Sequence, residues 1–83
     1  MDIEDLVGAL RTQRDELRVR LHLMKAEVRD EFEALEKQWN HLETRMDHLK
    51  DASKESAGDI GAAAKQLAEE ISTAYERIKR SAR

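Results

Sequence analysis

Apolar side chains recur along the first fifty residues in steps of four and three: Ile3, Val7, Leu10, Leu17, Leu21, Met24, Val28, Phe32, Leu35, Trp39, Leu42, Met46 and Leu49. This is the spacing of a coiled-coil seam and not the alternation of a strand. One seam position, Arg14, is charged. One step breaks the rhythm, because Met24, Val28 and Phe32 follow one another by four and four. Such a stutter is a four-residue insertion that locally unwinds a supercoil. The pattern predicts one helix over about residues 3–50, about 70 Å long at ~1.5 Å per residue. Asp2 stands where an N-cap belongs, and Glu4 and Asp5 crowd a first turn whose dipole favours anions. Gly8 reads as a tolerated interior glycine, at a cost of about 1 kcal/mol against Ala.

The pattern then lapses. Residues 51–59 hold no large apolar side chain and gather Ser and Gly, with Ser53 and Ser56 on the seam. Ser56 with Asp59 three residues on resembles a capping box, which predicts a turn over about 51–56 and a second helix over about 57–80. That helix carries a stripe of Ile60, Ala63, Ala64, Leu67, Ile71, Ala74, Tyr75 and Ile78, and ends in the cations Arg77, Lys79, Arg80 and Arg83. No Pro forces the break, so one helix above 100 Å is the competing reading. A seam lined by Ser buries almost no apolar area, and Gly58 and Gly61 weaken the helix further. The reading adopted is therefore a helical hairpin with unequal arms.

A second arm of that length covers only the C-terminal half of the first. The predicted hairpin core is Phe32, Leu35, Trp39, Leu42, Met46 and Leu49 against Ile60, Leu67, Ile71 and Ile78. The N-terminal arm is left bare, and each aliphatic side chain kept from water is worth roughly 1.5–3 kcal/mol. A second copy is expected to cover Val7, Leu10, Leu17, Leu21, Met24 and Val28. Val19 and Leu23 sit about 200° round from that stripe, and a helix apolar on two faces is buried between neighbours. These residues predict a coiled-coil homodimer, its long helices antiparallel and crossing near residues 20–28, as three-helix layers or a four-helix bundle. A tetramer joined through Val19 and Leu23 is the alternative.

Composition narrows the chemistry. The 83 residues suit one domain; they are 40% charged, with 15 Lys+Arg and 18 Asp+Glu, no Cys and no Pro. Disulfide scaffolds and thiolate metal sites are excluded. No apolar run reaches the ~20 residues that cross a bilayer, and the acidic start lacks the apolar region of a signal peptide, so a soluble, cytoplasmic chain is expected. A net charge of −3 offers no general attraction for nucleic acid or anionic lipid.

His22, His41 and His48 have no other His and no carboxylate four residues on, and no metal or cofactor is expected. The acidic run Glu27, Asp30, Glu31, Glu33 and Glu36 lacks the Glu-x-x-His of di-iron bundles and reads as a solvated face, with Glu33 and Glu36 turned from the seam. Arg11, Arg14, Arg18 and Arg20 concentrate positive charge that suits the acidic run of a partner copy. Ser53, Ser56 and Ser72 lack the context of a nucleophile. Trp39, between Leu35 and Leu42, reads as core.

The stretch from Leu17 to Trp39 (LRVRLHLMKAEVRDEFEALEKQW) resembles uncharacterised small bacterial coiled-coil or helical-hairpin proteins. The resemblance spans about residues 15–80. It implies a bacterial cytosolic helical protein and carries no catalytic residue. The sequence thus predicts an all-α, non-enzymatic oligomerisation or protein-interaction module, such as an adaptor or stress-associated protein. Two alternatives are reversible binding of its amphipathic helices to lipid or polymer-granule surfaces, and weak nucleic-acid or anion binding through Arg11–Arg20.

Overall fold

The computed structural model describes residues 2–81. Within them the chain forms α1 (Ile3–Val19), α2 (Ala26–Asp51) and α3 (Lys54–Ser81), with a single 3-10 turn at Leu21–Leu23 and no strand. The all-α class read from the sequence is the class observed. The single helix expected over 3–50 is corrected: it breaks at residues 20–25, and a three-helix bundle replaces the two-armed hairpin. The longest dimension is 45 Å, too short for a helix of about 70 Å. A radius of gyration of 13.8 Å, against about 12 Å for a compact chain of this length, describes a thick rod.

The break has a small structural basis. Arg20 leaves helical geometry at φ −92° and ψ 1°, and only Met24 and Lys25 are fully extended, with ψ of 151° and 153°. No glycine or proline lies there, and no residue among those described has a positive φ. The reason for the break is therefore tertiary. Folding α1 back buries Val7, Leu10, Leu17 and Met24 within one chain. A tethered helix meets its partner surface at an effective concentration that a second copy rarely matches. Shelter expected from another molecule comes from the chain itself.

The second junction is shorter than the expected turn at 51–56. Only Ala52 and Ser53 separate α2 from α3, and α3 starts at Lys54 instead of about 57. Ser53 holds the N-terminus: its carbonyl accepts the N–H groups of Ser56 (3.1 Å) and Ala57 (2.9 Å), and its Oγ accepts the Ser56 N–H at 3.4 Å. Ser53, and not Ser56, is the cap. At the start of α1, Asp2 occupies the N-cap position, and its side chain makes no capping bond there. Arg83, expected among the terminal cations, lies outside the described residues.

α1 and α3 each run antiparallel to α2 and hence parallel to each other: Arg14 meets Glu36, Gln13 meets Glu76 and Phe32 meets Tyr75. The face of α3 carries Ala64 and Ala68, both wholly buried, so α3 lies close against both partners. α1 and α2 stand further apart, bridged by longer side chains. Phe32, Trp39, Leu42, Met46, Ile71, Tyr75 and Ile78 complete the core, with Leu35, Leu49 and Leu67 partly buried at its edge and Ile60 half-buried. A methyl group added at Gly8 would meet nothing within 4 Å, so this glycine serves no close approach.

Two stability changes follow. Leu42→Ala, at a site with no exposure, lowers the unfolding free energy by about 2–5 kcal/mol. Gly8→Ala raises it by roughly 0.8–1 kcal/mol through helix propensity alone. Urea unfolding followed by circular dichroism measures both.

Candidate functional site

Two features of this bundle exceed plain packing, and both involve α1. The first is a layer at mid-height. Trp39 is 1% exposed. The guanidinium carbons of Arg11 and Arg14 lie 5.8 Å and 5.6 Å from the centre of its ring, within cation–π range. Arg14 also grips Glu36 with two bonds, Nε to Oε1 at 2.8 Å and Nη2 to Oε2 at 2.6 Å. The paired geometry matches the flat fork of guanidinium to carboxylate. Its bond to Glu36 holds the Arg14 pKa above the ordinary arginine value, against the opposing effect of desolvation.

This pair revises the reading of both residues. Arg14 is the one seam position that the apolar pattern skips, and a charge between Leu10 and Leu17 must find a counter-charge or stay in water. Glu36, expected on the solvated face, turns instead onto α1 and is part-buried. One pair of the complementarity expected between the basic arm and a partner's acidic run, Arg14 with Glu36, forms inside one molecule.

Tyr75 lies beside this layer, stacked on Phe32 with ring centres 6.3 Å apart. Its hydroxyl is buried and has no hydrogen-bond partner among the described residues. Burial first, then the negative Glu36, pushes its pKa up to about 12. The cleft that it borders with Gln13, Leu17 and Arg20 holds about 10 Å³, room for one water molecule and too little for an organic ligand.

The second feature is the corner where α1 ends. Val19 is 73% exposed and Leu23 75%, and no other large apolar side chain among the described residues is so bare. The eight residues expected to face a second copy thus divide. Val7, Leu10, Leu17 and Met24 are buried in the chain, Leu21 and Val28 are half-buried, and Val19 and Leu23 stand in solvent. Asp15 and Arg18 flank Val19, giving the apolar spot a rim of both signs.

His22, His41 and His48 are exposed, and no three His, Asp or Glu side chains of the described residues gather as metal ligands. No helix among them is long and apolar enough to cross a membrane.

Arg14→Ala leaves Glu36 facing an apolar layer unpaired and costs about 1–3 kcal/mol. A double-mutant cycle with Glu36→Gln returns a coupling larger than the ~0.2–1 kcal/mol of an exposed pair. Tyr75 predicts a pH dependence. Its phenol ionises near pH 10 when unfolded and near 12 when folded, so the unfolded chain binds fewer protons between these values. The stability that Tyr75 supports is intact below about pH 10 and is lost as pH rises towards 12. Tyr75→Phe removes this part of the alkaline loss and is neutral or stabilising at pH 7, as thermal melts across that range will show. No family model matches this chain, and no curated protein or solved structure was found similar to it.

Proposed function

We propose that this chain is a non-enzymatic protein-interaction module that works by self-association. The observation that carries the reading is the exposure of Val19 and Leu23, four residues apart where α1 ends, in a bundle whose other large apolar side chains among the described residues are buried or partly buried. Each aliphatic side chain withdrawn from water contributes roughly 1.5–3 kcal/mol, so pairing two such corners gathers a favourable term from four side chains. A two-fold contact sets Asp15 of one copy against Arg18 of the other, since the same patch faces itself.

The two other functions weighed from the sequence have less support. Binding to a lipid or polymer-granule surface needs an apolar helix face, and that of α3 is turned inward, with Ala64, Ala68, Ile71, Tyr75 and Ile78 buried. Nucleic-acid binding through Arg11–Arg20 rests on a cluster in which Arg14 is tied to Glu36 and Arg11 lies over Trp39, which leaves Arg18 and Arg20 as its exposed, uncommitted cations.

Analytical ultracentrifugation tests the proposal. The parent chain is expected to associate as concentration rises. Val19→Ser with Leu23→Ser is expected to weaken association at least tenfold, with helicity and melting temperature nearly unchanged. A parent chain that sediments as one copy at every concentration removes the proposal.

A further inference from the structure

The segment joining α1 to α2 carries almost none of the signals that normally end one helix and start another. Glycine is the usual residue just past a helix C-terminus, and Ser, Thr, Asp or Asn the usual N-cap. Here residues 20–25 read Arg-Leu-His-Leu-Met-Lys, mostly strong helix formers, and the N-cap of α2 is Lys25, whose side chain makes no capping bond. Only Met24 and Lys25 depart far in ψ from helical values. The apolar seam also passes through the segment in phase, with its single stutter beginning at Met24. Rotation at these two residues, with Arg20 and the 3-10 turn at Leu21–Leu23 drawn into α geometry, would join α1 and α2 into one helix.

We infer that residues 20–25 are a hinge, and that a second copy of this chain exchanges α1 arms with the first. In the open form each chain is a long helix followed by α3. The α1 arm of each copy lies on α2 and α3 of the other, so Arg14 pairs with Glu36 and roofs Trp39 across the two chains. Nearly every contact of the closed bundle is remade, which is why exchange of an identical element is a low-cost route to a dimer. The closed monomer dominates when dilute and the exchanged dimer when concentrated. Val19 and Leu23 lie opposite the seam in the continuous helix, so exchange does not use the corner contact proposed above.

Complementary charge reversal reads the exchange directly. Arg14→Glu sets two carboxylates against each other in a closed chain, and Glu36→Arg sets two guanidinium groups against each other. An exchanged heterodimer of the two variants restores both pairs at once, whereas closed monomers, or dimers joined only at their corners, restore neither. Both variants are made on the Val19→Ser, Leu23→Ser background, which removes corner association. After equilibration, the equimolar mixture is expected to sediment as a two-chain species melting near the unreversed background protein. A mixture that melts as the sum of its components overturns the exchange, while corner association in the parent chain stands or falls on its own test.

Lys25→Pro gives a second reading that does not depend on charge. Its φ of −64° suits proline, the preceding Met24 is already extended, and the Lys25 N–H donates no backbone hydrogen bond in the closed form. In a continuous helix the same proline removes a bond and clashes. On the serine background, the variant is expected to keep its helicity, melt slightly higher, and form the two-chain species about 10⁴-fold less readily, because each of the two continuous helices carries the proline. Unchanged dimerisation of the proline variant overturns the hinge.

Discussion

The fold depends on how Trp39 is covered. It is the largest side chain of α2, it sits at mid-height, and the chain has no disulfide to hold a cover in place. α3 approaches closely through alanines and closes one side. The other side is closed by α1, which brings two guanidinium groups over the indole and fastens one of them to Glu36. A buried ion pair alone is weak support for stability, because desolvation offsets much of the attraction. Its contribution here is position: two bonds to one carboxylate fix the height at which α1 lies along α2, where sliding apolar ridges alone would leave the register looser.

The legible part of this structure is what each residue buries, and the illegible part is against which molecule. The seam through Phe32, Trp39, Leu42 and Met46 and the stripe through Ile71, Tyr75 and Ile78 could be read directly, because period alone assigns a face. The break at residues 20–25 could not. Its segment has helix-forming composition and no cap, and an apolar stripe looks the same whether its cover is the same chain or a copy. The deciding quantity is the ease of closing a short connection, which no periodicity records. One clue was present: a charged residue at the seam position of Arg14 demands a partner across the interface, and Glu36 lies at hairpin distance along the sequence. Ser53 and Ser56 illustrate a smaller ambiguity, two serines within one turn of which either can cap.

The same logic links architecture to function. A chain that shelters nearly all of its apolar surface and still leaves Val19 and Leu23 bare at one corner has an uneven surface. The corner adjoins the connection least specified by local sequence, so the proposed contact site and the proposed hinge are neighbours. Both rest on the absence of a strong helix terminator after Val19.

The parallel course of α1 and α3 has an electrical consequence. Their carbonyl ends emerge together at the pole of the rod that carries Arg18, Arg77, Lys79 and Arg80, while their amide ends share the opposite pole with Glu4, Asp5 and Glu55. The antiparallel α2 offsets only one of these two aligned peptide dipoles. Cations at the carbonyl pole and acids at the amide pole lie against the partial charges of the dipole left unmatched, so the end-turn side chains offset the field that the parallel pair would otherwise leave along the rod.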